Sequence, residues 1–411
     1  MDLPGARKMV LEVEFFGEVG TGTGPTLEFY TLLSREMQRA RLGMWRGGAE
    51  AGEGGEGGAA AAAADDEQEA ALVSAPHGLF PRPLPLHARV KLPPQQQSEE
   101  EAPAVRKVLG HFRLLGRVIA KALQDGRLLD LPFSPAFYRA ALRGAALHFA
   151  DCVSVDPELA RSLSQMLTVC AEREKLVEAG ASASAIDALT LSGTRICDLC
   201  LTFTLPGYAD FELCEGGASR EVTVHNLGEF VALVLDATLG AGVQRQLEAF
   251  RCGFSDIFPV AALASFSEPE LEMLVCGCGE RWEESELAEA LKIDHGYTLA
   301  STPIKNLIGI LSELDADDQR CFLRFVTGAP RLPAGGLQAL KPPLTVVCKA
   351  PPGGMPPGIP LGTCTIAADC DLPSAMTCAN YLKMPPFSSK EVLKSRLLYA
   401  IREGTGSFDL S

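Results

Sequence analysis

Residues 46–76 set the strongest limit on what this chain can fold into, because most of them cannot fill a hydrophobic core. The stretch from Arg46 to Gly58 is almost entirely glycine, alanine and glutamate, and an alanine run and an acidic run follow it. Such low-complexity composition lacks the apolar side chains whose burial stabilises a domain. We therefore predict a flexible insertion at about 46–76 and a second, Gln/Glu-rich one at about 94–103, with the folded body built from the rest.

Composition bounds the class of protein. The chain has 411 residues, 47% of them apolar, which is enough for two or three domains with hydrophobic cores. A net charge of −15 makes it a poor candidate for binding nucleic acid through phosphates. No apolar stretch approaches the roughly 18 residues of a membrane span, and the N-terminus carries no secretory signal pattern. We expect neither a nucleic-acid nor a membrane partner.

Thirteen cysteines occur without regular spacing. Together with the missing secretory pattern, this predicts an intracellular protein of the cytoplasm, the nucleus or both, with its thiols reduced. Cys197 and Cys200 have the spacing of a zinc or redox pair, but zinc needs four ligands and no second pair lies nearby in sequence. We interpret them as structural thiols and expect no metal and no cofactor.

Hydrophobic periodicity and punctuation predict a largely helical chain. Alternation favours a strand at 10–16, and the glycine-rich stretch 17–25 lacks the Lys-Ser/Thr ending of a phosphate-binding loop, so we expect a tight turn into a helix. Further helices are predicted from Val105, from Asp156-Pro157, after Asn226, over 303–314 and 317–327, and after the capping box Ser388-x-x-Glu391. A strand is predicted at 344–348, and Gly296 with small polar neighbours indicates a hinge at 292–303.

The stretch Asp371–Phe387 holds a single cysteine, Cys378, between two proline-containing turns. A thiol is the best side-chain nucleophile near neutral pH, because a few per cent of a free thiol is already thiolate. On spacing alone, however, a buried structural thiol is the commoner explanation for a lone cysteine. The residues around Cys378 therefore leave two hypotheses open, a nucleophile and a packed thiol.

Several blocks, taken together and in order, carry a resemblance to a known family. They are Phe16–Phe29, His77–Pro83, Gly126–Ser134, Asp198–Tyr208, Phe325–Gly328 and Leu372–Cys378. With them the chain resembles the HECT family of ubiquitin ligases over nearly its whole length. Within that family, Met376–Lys383 and the ending Ser407–Ser411 are most similar to the KAKTUS-type plant ligases and their thyroid-receptor-interacting animal relatives.

The resemblance implies an α+β, bilobal HECT fold. A mostly helical N-lobe would occupy 1–296 and contain an E2-binding subdomain at about 156–250, and a flexible hinge at 297–302 would join it to a smaller α/β C-lobe at 303–411. HECT domains usually begin with further helices, so we also expect an N-terminally truncated lobe. The alternative to an active ligase is therefore a truncated, poorly active fragment that only binds E2 or ubiquitin.

The resemblance also implies the site residues and the partners. Cys378 would accept ubiquitin from a loaded E2 enzyme as a thioester and pass it to a lysine of a protein substrate, in a pathway that leads to proteasomal degradation. Thr377 would support the site, and Phe408 in the C-terminal tail would act in the transfer step. The positions that match the E2-binding groove of the family are apolar: Leu159, Leu163, Leu199, Leu201, Phe230 and Val234.

Overall fold

The structure is a computed structural model, and it describes residues 11–16, 23–47, 71–89, 102–279, 282–350, 361–364 and 366–403. Contacts divide the chain into two units. The mixed unit comprises Met1–Glu36, Lys121–Leu131 and Glu272–Ser411. The helical unit comprises Met37–Ala120 and Pro132–Leu271. These bounds do not coincide with the two lobes that the sequence predicts, whose division stays a prediction.

Helices dominate the described chain, and the short strands lie at 190–212 and between 292 and 384. The helices are α1 Thr23–Glu36, α2 Leu86–Arg89, α3 Pro103–Gln124, α4 Pro135–Phe137, α5 Pro157–Glu178, α6 Ala183–Asp187, α7 Leu227–Leu239, α8 Ala241–Ser255, α9 Glu268–Cys276, α10 Glu284–Ala290, α11 Thr302–Ser312, α12 Ala316–Thr327 and α13 Lys390–Glu403. The strands are β1 Thr190–Leu191, β2 Thr194–Arg195, β3 Thr204–Leu205, β4 Tyr208–Glu212, β5 Lys292–Asp294, β6 Thr345–Cys348, β7 Ser374–Met376 and β8 Tyr381–Met384. This is an α+β fold, as predicted.

The core of the helical unit forms where α3 meets α8 with their backbones in contact. A Cβ placed on Gly116 would lie 2.1 Å from the carbonyl oxygen of Phe250, and one on Gly253 would lie 1.9 Å from that of Arg113. Only glycine fits at either position, because real Cβ atoms do not approach a backbone oxygen so closely. At Gly110, on the same helix, a Cβ would meet nothing within 4 Å.

Helix α5 begins where the sequence predicts it. The Asp156 side chain accepts a hydrogen bond of 2.9 Å from the Leu159 amide, and Pro157 occupies the first turn. This is the usual arrangement of a helix N-cap followed by proline. After α5 the chain forms two antiparallel pairs, β1 with β2 and β3 with β4.

Helices α7 and α8 together form the one described segment that is long and apolar enough to meet the length and composition test for a membrane span. The two helices are only 13 and 15 residues long, and the chain changes direction between them at Gly240. Helix α7 buries Phe230 and Val234 inside the helical unit, and α8 buries Phe250 and Phe254 there. Apolar side chains of both helices thus belong to the core of the helical unit.

The mixed unit contains a four-stranded sheet in the order β5-β6-β8-β7. Strands β5, β6 and β8 run parallel, and β7 pairs antiparallel with β8. The sheet and the helices α10 to α13 share one hydrophobic core, whose buried members run from Trp282 to Ile401.

The segment 297–302, which the sequence predicts to be a flexible hinge, begins at a residue of this core. The strand β5 pairs with β6 just before this segment, and Tyr297 is buried. The Tyr297 hydroxyl donates a hydrogen bond of 2.9 Å to the carbonyl oxygen of Met384. The residues after Tyr297 are less enclosed, since Thr298, Leu299 and Ala300 are exposed, and the hinge at 297–302 stays a prediction.

Three local predictions near the termini and the insertions differ from the structure. Residues 11–16 contain no strand: the Leu11 amide donates to the Asp125 carboxylate and the Val13 amide to the Thr26 hydroxyl. The insertion is shorter than predicted, because the Val73 amide donates to the Gln38 carbonyl. Residues 48–70 and 90–101 lie outside the described part. The N-cap of α13 is Ser389 rather than Ser388, since its hydroxyl accepts from the Val392 amide.

Candidate active site

Cys378 lies at the tip of the hairpin that β7 and β8 form. Met376 and Tyr381 are the last paired residues of the two strands, and a 3₁₀ turn, Thr377–Ala379, connects them. The Cys378 residue is exposed. A packed structural thiol would be buried, so the exposure argues against that hypothesis, and the role of Cys378 as a nucleophile stays a prediction.

Asn380 holds this turn against the strand β6. Its backbone adopts the left-handed conformation (φ 53°), and its side-chain amide donates a hydrogen bond of 2.7 Å to the carbonyl oxygen of Pro342. Its own carbonyl accepts a bond of 2.9 Å from the Thr345 amide. Asparagine tolerates the left-handed region better than most residues. One buried side chain thus closes the turn and ties it to the sheet.

Gly328 lies on another side of the turn. It ends α12 in the left-handed conformation (φ 78°), as glycine commonly does after a helix. A Cβ placed on Gly328 would lie 3.8 Å from the Cβ of Thr377. Thr377 therefore packs beside the end of α12, and its carbonyl accepts a weak bond of 3.4 Å from the Asn380 amide. The predicted supporting role of Thr377 remains a prediction.

An exposed cysteine in a fixed turn suits nucleophilic exchange between thioesters. The bond that forms and the bond that breaks are of the same kind, so the exchange needs a positioned thiolate rather than a strong base. A small thiolate fraction is present near neutral pH. Access and orientation are what the protein must supply for such an exchange, and the exposure of Cys378 meets the first requirement.

The six apolar residues proposed from the resemblance for E2 binding fall into two groups, all in the helical unit. Four are at most 7% exposed and form its core: Leu159, Leu163, Phe230 and Val234. Their side chains are not available to a partner, which corrects their assignment as groove residues. Leu199 and Leu201 are half-buried, and neither lies on a strand: Leu199 ends a 3₁₀ turn, and Leu201 follows it.

A side-chain stack supports this part of the helical unit. The Arg220 guanidinium lies 4.0 Å from the ring centroid of Phe203, and that ring meets Phe230 edge to face. Arg220 also donates two hydrogen bonds, of 2.7 and 2.6 Å, to the Glu229 carboxylate. The bidentate pair holds the pKa of Glu229 below its ordinary value. No local sequence pattern indicates the stack, because it joins residues from three separate segments.

Cys197 and Cys200 differ from the structural thiols that the sequence predicts, because both are exposed. They flank a turn in which the Cys200 amide approaches the Cys197 carbonyl at 3.5 Å. Within the described residues, no group of three or more histidine, cysteine, aspartate or glutamate side chains is arranged to hold a metal ion. Phe408, the remaining predicted site residue, lies outside the described part of the chain.

Comparisons with known proteins match almost the whole chain to one family. A family model described as HECT-domain (ubiquitin-transferase) matches residues 31–411. The chain is 49% identical to E3 ubiquitin-protein ligase UPL3 of Arabidopsis thaliana, over 100% of this chain and 21% of that protein. It is 39% identical to E3 ubiquitin-protein ligase TRIP12 of Danio rerio (99% and 19%) and 35% identical to Ubiquitin fusion degradation protein 4 of Saccharomyces cerevisiae (99% and 24%). The chain thus spans about a fifth of the length of these relatives.

Proposed function

Because this chain belongs to the HECT-domain (ubiquitin-transferase) family, we propose that it is an E3 ubiquitin ligase in which Cys378 carries ubiquitin as a thioester. The observation that supports this most is the exposed cysteine at the tip of a hairpin whose turn is tied to the sheet by Asn380. The relatives are named as ubiquitin ligases, which favours this function over a fragment that only binds E2 or ubiquitin.

The proposed reaction has two steps at Cys378. In the first, its thiolate attacks the carbonyl carbon of the C-terminal glycine of ubiquitin, the new C–S bond forms, and the thiolate of the E2 enzyme leaves. In the second, a neutral lysine amine of the substrate attacks the same carbonyl, an isopeptide bond forms and the Cys378 thiolate leaves. The amine loses its proton to water or a nearby base. The turn through Thr377 and Asn380 orients the sulfur in both steps.

The E2 enzyme would dock on the helical unit, within about 156–250. Leu199 and Leu201 are the two matched positions with apolar surface left exposed. Phe230 and the other three buried positions would act indirectly, by supporting the segment that carries these leucines. Apolar surface of this kind is what the core of a protein–protein interface buries.

The tail, the compartment and the outcome for the substrate complete the proposal. Phe408 would assist the transfer step, because an aromatic side chain in a chain terminus needs a surface on which to bury. The thirteen cysteines are all free, which supports a reducing compartment in the cytoplasm or nucleus. Substrate degradation is proposed from the name of the yeast relative, Ubiquitin fusion degradation protein 4.

The test is a loading reaction with ubiquitin, activating enzyme and E2. We expect a covalent ubiquitin adduct of the chain that a thiol reductant removes, and we expect Cys378→Ala to abolish it. Cys370→Ala is the matched control, since Cys370 is another exposed cysteine of the mixed unit. No adduct with the wild-type chain, or an adduct that survives Cys378→Ala, would contradict the proposed function.

A further inference from the structure

The N-terminal helix α1 reaches the end of α12 that borders the cysteine turn. The Thr31 hydroxyl lies 2.9 Å from the carbonyl oxygen of Gly328, to which it donates a hydrogen bond. The two residues are 297 positions apart in sequence, and both belong to the mixed unit. Thr31 also approaches the carbonyl of Leu27, one turn back in its own helix, at 3.2 Å. A hydroxyl has one proton, so the shorter contact to Gly328 takes the larger share of it.

Leu27 adds a packing contact at the same place. A Cβ placed on Gly328 would lie 3.4 Å from the Cβ of Leu27 and 3.8 Å from the Cβ of Thr377. Gly328 is therefore enclosed between α1 and the residue that precedes Cys378. An added Cβ would meet both neighbours at ordinary van der Waals distances, but the left-handed φ of 78° would strain any residue other than glycine.

We propose that Leu27 and Thr31 are positioning residues for Cys378, acting through Gly328 and Thr377. The inference rests on the proposed function of Cys378 as the ubiquitin acceptor. On one side the turn is tied to β6 by Asn380, and beside Thr377 it meets the end of α12. Helix α1 fixes that end by a hydrogen bond to the Gly328 carbonyl and by the Leu27 contact. Releasing this support lets the turn sample orientations in which the sulfur is misaligned.

The size of the effect follows from one hydrogen bond. A neutral hydrogen bond contributes about 0.5–1.5 kcal/mol, which corresponds to about a two- to tenfold change in the population of the aligned turn. The effect concerns steps that need an aligned sulfur, so transfer of ubiquitin slows while the helix content of the chain stays unchanged. A role confined to folding would instead lower the unfolding temperature and leave the rate constant of the folded fraction alone.

The experiment uses four variants of the full chain. Thr31→Val removes the donor with a side chain of the same shape, and Thr31→Ser restores a hydroxyl. Leu27→Ala removes the packing contact, and Leu32→Ala is the control, because Leu32 is exposed on the same helix. The first readout needs no ubiquitin: hydrogen exchange at the amides of 377–380, together with the iodoacetamide alkylation rate of the Cys378 peptide relative to the Cys370 peptide. The second is release of ubiquitin from Cys378 to free lysine in a single turnover.

We expect Thr31→Val and Leu27→Ala to speed exchange of the turn amides and to slow ubiquitin release about two- to tenfold. Thr31→Ser and Leu32→Ala should stay close to wild type. Wild-type exchange, alkylation and release in both Thr31→Val and Leu27→Ala would overturn the inference while leaving the proposed function intact. If the wild-type chain forms no adduct, the proposed function fails instead, and exchange and alkylation alone then decide whether α1 positions the turn.

Discussion

The side-chain amide of Asn380 donates a hydrogen bond of 2.7 Å to the carbonyl oxygen of Pro342, and this bond joins the turn of Cys378 to the segment that leads into β6. Asn380 is 6% exposed, so the bond is shielded from water. The residue has two separable properties, since it supplies the amide and it also tolerates the left-handed backbone conformation. Substitutions at this one position can remove the amide alone or both properties together.

We predict that Asn380→Ala loses both properties and that Asn380→Gly loses only the amide. The alanine variant should be less stable than wild type by about 1–3 kcal/mol, because the left-handed conformation costs alanine about 1–2 kcal/mol and a hydrogen bond is lost. The glycine variant should lose about 1 kcal/mol. Denaturant unfolding measures both values, and exchange at the Thr345 amide, which donates to the Asn380 carbonyl, should rise in parallel. Equal stability of the two variants would contradict the separation.

The contact between α3 and α8 gives a stability prediction with an internal control. Gly116→Ala places a Cβ against the Phe250 carbonyl, and overpacking of this kind costs about 1–3 kcal/mol. Gly110→Ala on the same helix meets nothing within 4 Å, so the better helix propensity of alanine should stabilise by about 0.5–1 kcal/mol. Thermal unfolding of the two variants should shift in opposite directions, and shifts of the same sign would refute the packing.

Substitutions of Phe230 and Leu199 can separate an effect on core stability from an effect on E2 docking. Phe230 is 1% exposed, so Phe230→Ala should cost about 3–5 kcal/mol of stability, and any loss of E2-dependent loading should follow from unfolding. Leu199 is half-buried, so Leu199→Ala should cost about 1 kcal/mol or less and should still weaken loading. Loading rates measured against E2 concentration and corrected for the folded fraction test this. Wild-type loading by Leu199→Ala would remove Leu199 from the docking surface.

The attachment of α13 should weaken in acid. The Lys390 and Lys394 ammonium groups lie 2.8 and 3.3 Å from the Glu313 carboxylate, and their hydrogen bonds lower the pKa of Glu313 from 4.5. Since the folded-state pKa lies below the unfolded one, the stabilisation is fully present above pH 4.5 and is lost as the pH falls through the lower, folded-state value. Glu313→Gln should therefore be less stable than wild type at neutral pH, and the two unfolding curves should converge in acid. The difference should also shrink in high salt, because the pair is exposed.

The elements with local signals could be predicted from the sequence. Asp156-Pro157 marks the start of α5 because cap and first turn depend on adjacent residues, and the apolar face of α3 follows from its own periodicity. The role of Cys378 could not be predicted from the local sequence pattern alone. The residues around this cysteine fit a packed thiol as well as a nucleophile; the family resemblance favours the nucleophile, and the structure shows that Cys378 is exposed.

Contacts between distant segments of the chain could not be predicted from the sequence. Strand β5 has three residues and pairs Lys292 with Thr345, a distant partner that no local pattern indicates. Apolar residues such as Leu163 and Phe230 recur at the same sequence spacing in a buried core and in a docking groove. The sequence alone therefore does not distinguish a core from an interface. The bond from Thr31 to Gly328 likewise joins segments with no shared local pattern.

The most direct test of Cys378 as the ubiquitin acceptor is the chemistry of the linkage formed by Cys378→Ser. A serine at this position would form an oxygen ester instead of a thioester. The expected result is that the ubiquitin adduct of wild type is cleaved by a thiol reductant, whereas that of Cys378→Ser resists the reductant and is cleaved by mild alkali. An adduct of Cys378→Ser that remains as sensitive to reductant as that of wild type would place the thioester on another cysteine and contradict the account.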